Sequence, residues 1–160
     1  MIYYGDELGL HSDEPQRRFE NVWPDRQPLP WSLVMPDHPV LTLFTQLLQL
    51  RRQYPSLHRG DCHELTSEAV PEVLVFRRQL GDEVIEVYAH SRDGQVKLPL
   101  HADAPPVAEL LFRLGEATLD AATRMLSLGP YAALVVLRRT AEPLRLLARQ
   151  LTEQAPERLA

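Results

Sequence analysis

Met1-Ile2-Tyr3-Tyr4-Gly5-Asp6-Glu7-Leu8-Gly9-Leu10 opens the chain, and the fold is decided by what must surround it. Four apolar or aromatic residues run straight into Gly-Asp-Glu-x-Gly, the pattern of a short buried strand that empties into a loop at its carboxyl end. In α/β folds, polar residues gather around ligands at the carboxyl ends of such strands, which makes Tyr4, Gly5, Asp6 and Glu7 the strand-end motif of interest. The plain alternative is a solvated strand end with no chemistry of its own.

Two further blocks extend the pattern. Pro24-Asp25-Arg26-Gln27-Pro28-Leu29-Pro30-Trp31 comes first, then Leu50-Arg51-Arg52-Gln53-Tyr54-Pro55-Ser56-Leu57 running into Arg59-Gly60-Asp61. In this order and spacing, the three blocks resemble the last strand, last loop and last helix of the α-amylase family of glycoside hydrolases, most closely its neopullulanase, cyclomaltodextrinase and α-glucosidase side. The family pattern runs Pro-x-Ile-Tyr-Tyr-Gly-Asp-Glu-x-Gly, then Arg-x-Pro-Met-Pro-Trp, then Leu-Arg-x-x-x-Pro-Ala-Leu-x-x-Gly.

The resemblance implies a division of labour. In that family the nucleophilic Asp, the general-acid Glu and a second, substrate-orienting Asp lie at the ends of earlier barrel strands, all upstream of Met1. Met1 is therefore expected to be an internal residue of a longer protein, and this chain alone to be inactive. Arg26 aligns with the arginine that contacts sugar hydroxyls, and a guanidinium carries several donors in one plane, a geometry that suits vicinal hydroxyls. An ion pair between Arg26 and Asp25 or Glu20 is the other reading. The family often has an Asp four residues before that arginine, where Val22 stands here, and Asp25 is the candidate substitute. Trp23 and Trp31 could stack on sugar rings, although the setting of Trp31 among prolines and apolar residues favours packing.

Composition bounds the rest. A complete eight-stranded α/β barrel takes about 250 residues, so 160 residues leave room only for a remnant. A formal charge of −5 argues against nucleic acid. One cysteine, Cys62, makes no internal disulfide, and no apolar run marks a signal peptide or membrane span, so the cytoplasm is the default setting. His58, Cys62 and His63 lack a matching second pair of ligands for a metal, and no cofactor motif occurs.

Residues 11 to 36 read as a long loop. From Asp37, a capping residue, with Pro39 in the first turn, the period turns helical; Leu43, Phe44, Leu47, Leu48 and Leu50 form a stripe, and Tyr54-Pro55 stops the helix. Past Gly60 the period becomes two. Glu72–Gln79 and Glu83–His90 flank a Leu80-Gly81-Asp82 turn, and Val96–Leu100, Ala108–Leu114, Ala117–Asp120, Arg124–Leu128 and Ala132–Arg138 supply further strands of an antiparallel sandwich. The resemblance implies the same domain: a Val-x-x-Phe-x-Arg strand opens its sheet and a Pro-Tyr-x-x-x-Val-Leu strand, here beginning Pro130-Tyr131, closes it. The family commonly has Asn where His90 stands. Thr140 caps a last helix with Leu144, Leu147, Ala148, Leu151 and Ala155 on one stripe.

The expected architecture is an α+β fragment. Residues 1–60 form the last β/α unit of a TIM-type barrel, 61–139 an antiparallel β-sandwich and 140–160 a helical tail. Its expected partner is an α-glucan or maltooligosaccharide, bound within a parent enzyme, and the barrel-facing apolar surface is expected to favour self-association. The alternative is a non-catalytic sandwich module or remnant that binds carbohydrate weakly. Limited proteolysis is predicted to cut first within residues 11–36 and to leave the sandwich as the resistant core; early cleavage between residues 72 and 139 with the first 36 residues protected would reverse that assignment.

Overall fold

The computed structural model describes residues 2–10, 28–100 and 106–139. The chain divides into two compact units, Met1–Gln53 and Tyr54–Ala160.

In the first unit, the expected strand at Ile2–Tyr4 is not formed. The described residues place no strand beside it, and a two-sided strand without hydrogen-bonding neighbours has nothing to pair with. Instead a turn at Tyr4-Gly5 leads into a single 3₁₀ turn, Asp6–Leu8, while Ile2, Tyr3 and Tyr4 are 49%, 46% and 45% exposed. The helix does form, as α1 (Pro39–Gln53). Its first-turn amide at Leu41 donates to His38 Nδ1 at 3.4 Å, so the residue capping the helix is His38 and not Asp37. Leu47 and Leu48 on its apolar stripe are 40% and 46% exposed.

Among the described residues, the second unit begins with α2 (Ser56–Arg59) and continues in eight strands: β1 (Asp61–Glu64), β2 (Val73–Leu80), β3 (Glu83–His90), β4 (Val96–Pro99), β5 (Val107–Leu114), β6 (Ala117–Asp120), β7 (Met125–Leu128) and β8 (Ala133–Arg139). β1 escapes a sequence reading because Asp-Cys-His-Glu carries no apolar alternation and all four residues are exposed. One sheet runs β1-β2-β3-β8-β5 and the other β4-β7-β6, antiparallel throughout. Gly81, at a φ of 58°, opens the two-residue loop of the β2–β3 hairpin, a backbone setting that glycine adopts without steric cost.

Register decides the faces. Val73, Val75, Tyr88, Leu134 and Val136 on the larger sheet meet Leu98, Ala117, Leu126 and Leu128 on the smaller one in a single core. Both edges of the larger sheet are blunted. β1 is short and polar, and β5 carries two register shifts against β8 with Glu109 and Arg113 exposed.

The same inward face holds a buried charge cluster on β2, β3 and β8. Glu86 Oε1 accepts from Arg77 Nε at 3.0 Å and Nη2 at 2.7 Å. Its Oε2 accepts from the Tyr88 hydroxyl at 2.6 Å and from Arg138 Nε. Arg138 Nη2 also donates to the Tyr88 oxygen at 3.1 Å. Glu86 is 0% and Arg138 1% exposed. Burial pushes the Glu86 carboxyl up, but the Tyr88 hydrogen bond, the Arg138 charge and the two guanidinium hydrogen bonds outweigh it and hold the group below its ordinary value of 4.5. Burial, and then the hydrogen bond to and charge of Glu86, push the Tyr88 hydroxyl well above its ordinary range.

Removing one partner of such a cluster strands the other charge in the interior. Glu86→Gln is predicted to cost about 3–5 kcal/mol, read by urea unfolding with circular dichroism because both tryptophans, Trp23 and Trp31, lie in the first unit. The double replacement Glu86→Leu with Arg138→Met should cost less than the two singles added together. A carboxyl whose folded value is lowered stabilises above its unfolded value and loses that contribution as pH falls through the folded one. The sandwich should therefore lose stability progressively below about pH 4.5, and Glu86→Gln should flatten that acid limb; an unchanged limb would remove Glu86 from the account.

Candidate functional site

The strand-end motif closes on itself. Gly5, at a φ of 92°, takes a backbone setting that side-chain-bearing residues rarely adopt, and it lets the amides of Leu8 and Leu10 both reach the Gly5 carbonyl at 3.0 Å. Asp6 Oδ2 accepts from the Tyr3 amide at 2.9 Å, and Glu7 Oε2 accepts from the Gly5 amide at 3.0 Å. Each carboxylate is turned back on an amide of its own loop. The rings of Tyr3 and Tyr4 lie 4.6 Å apart at 41°. Asp6 and Glu7 thus hold the shape of the turn, as backbone acceptors.

Arg26 and Asp25, the candidate sugar contacts, lie outside the described residues, as do Trp23 and the residue 140–160 tail. Trp31 starts a 3₁₀ turn, Trp31–Leu33, and is 76% exposed, so the expected packing is not found in this chain; the prolines on its amino side set the backbone but supply no wall for the ring. Among the described residues no three His, Cys, Asp or Glu side chains gather closely enough to hold a metal ion, and Cys62 is an exposed free thiol on β1. Glu86 and Arg138 are closed to solvent, and their cluster serves the core.

The second unit opens on a tightly built junction that sequence reading treats only as a motif. The Ser56 amide donates to Glu83 Oε1 at 2.7 Å, and the Ser56 carbonyl accepts from Arg78 Nε at 3.1 Å and from the Gly60 amide at 3.0 Å. α2 is thereby tied to β2 and β3 through backbone atoms. A Cβ on Gly60 would lie 2.5 Å from the Gln79 carbonyl oxygen and 2.7 Å from that of Ser56, both backbone atoms, so only glycine fits. Ser56 itself is fully buried, and its hydroxyl has no hydrogen-bond partner among the described residues. At the far end, His90 Nδ1 lies 2.8 Å from the Gly129 carbonyl, fixing the crossing from β7 to β8.

These contacts make opposite predictions for neighbouring positions. Ser56→Ala removes an unsatisfied buried hydroxyl and should leave stability unchanged or raise it by up to about 1 kcal/mol. Gly60→Ala forces backbone apart and should cost about 1–3 kcal/mol. Thermal melts of both variants by circular dichroism check the pair, and a marked loss for Ser56→Ala would show that its hydroxyl has a partner.

No family model matches the chain. A cyclomaltodextrinase from Geobacillus thermopakistaniensis is 30% identical over 133 residues, which is 81% of this chain and 21% of that protein. The chain thus spans about a fifth of the relative's length. Among solved structures, the trehalulose synthase of Pseudomonas mesoacidophila superposes on 61% of this chain with a TM-score of 0.55 at 19% identity, using 17% of its own length. An isomaltulose synthase mutant of Erwinia rhapontici, in complex with glucose, superposes on 63% with a TM-score of 0.56 at 19% identity, using 18% of its length. At that identity the structural likeness speaks for the fold.

Proposed function

We infer that this chain, which belongs to the α-amylase family of glycoside hydrolases, is the carboxyl-terminal portion of an enzyme that processes α-1,4 or α-1,6 glucosidic bonds. One observation carries the reading. The likeness to the cyclomaltodextrinase covers 81% of the chain, whereas the second unit, residues 54–160, is only 107 of 160 residues, so the matched stretch takes in parts of both units in the order of a single relative. A sandwich borrowed by an unrelated protein would match over the second unit alone.

In this reading the chemistry belongs to carboxylates outside the chain, which supply the covalent step and proton transfer. The first unit contributes the loop that bears Arg26 and Asp25, and the sandwich stabilises the assembly. The purified chain is predicted to release no reducing sugar from maltotriose, pullulan or cyclodextrin. Exchanged for the corresponding segment of the Geobacillus cyclomaltodextrinase, it should give a folded, active chimera. Turnover by the chain alone that survives further purification, or a chimera that folds but has lost all activity, would overturn the assignment.

Arg26 is proposed to donate hydrogen bonds to a sugar away from the cleaved bond. In such a chimera Arg26→Ala should weaken catalytic efficiency by about 1–3 kcal/mol, more for long maltooligosaccharides than for short ones, with the melting temperature unchanged. Equal efficiency at every chain length would favour the ion pair with Asp25 or Glu20.

The second reading is a non-catalytic module that binds carbohydrate weakly, and it draws on the sandwich closing its core between its own two sheets. Titration calorimetry of the chain with maltooligosaccharides separates the two, since saturable binding without the rest of an enzyme is expected only of the module.

A further inference from the structure

We draw no further inference here: the strongest candidate, the apolar side of α1 with exposed Leu47 and Leu48, carries none because nothing in the structure shows what covers it.

Discussion

A carboxylate removed from water must find donors for its lone pairs, or it takes up a proton and the interior loses its charge balance. Glu86 meets that condition on both oxygens, with Arg77 on one and Tyr88 and Arg138 on the other. The donors come from β2, β3 and β8, three consecutive strands of the larger sheet, so the cluster can be complete only when those strands pair in one register. A slip of one residue in β8 would turn Arg138 to the opposite face and leave Glu86 with a missing partner. Apolar alternation alone does not discriminate so sharply, because the inner positions of β8 and their outward neighbours are both aliphatic: Leu134 and Val136 face the core, and Val135 and Leu137 are buried on the other side. The polar cluster therefore supplies a register constraint that the hydrophobic pattern of this strand lacks.

That pattern explains what could be read from the sequence. Of the eight strands among the described residues, seven follow from two-residue alternation and glycine turns, and their observed bounds agree within a residue or so. β1 could not be found this way, since an edge strand of four exposed polar residues owes its existence to β2 and to nothing in its own composition. Glu86 was equally hidden. A charged residue at an inward position of Glu-Val-Ile-Glu-Val-Tyr reads as a solvated one, and only the cross-strand placement of Arg77 and Arg138 reveals that it is buried. The one available signal was an arginine at an inward position of both β2 and β8.

In the first unit the strand at Ile2–Tyr4 departs from the sequence reading for the opposite reason. Ile2-Tyr3-Tyr4 carries strong strand propensity, yet propensity is realised through neighbouring strands, and the described residues offer none. The turn that follows was legible and is kept, because Gly5, Asp6 and Glu7 satisfy one another within a few residues and need no sheet. α1 was legible on the same ground, its hydrogen bonds being internal, although its cap passed from Asp37 to His38. The candidate site divides along that line: its local half is on view, and Arg26 and Asp25 lie outside the described residues.

The junction at Ser56 and Gly60 shows how a motif that looks like a signature can be geometry. The family pattern places Pro-Ala-Leu-x-x-Gly where this chain has Pro55-Ser56-Leu57-His58-Arg59-Gly60. The first small position is sealed in the interior and the glycine abuts the Gln79 carbonyl, so one site selects a small side chain and the other none at all. Both residues are buried. Arg78, the arginine of the Val-x-x-Phe-x-Arg strand, completes the joint by donating to the Ser56 carbonyl, and Glu83 closes it by accepting from the Ser56 amide. Two of the segments on which the resemblance rests thus meet at a single packing contact in this chain. Their value as a mark of kinship comes from the architecture they build.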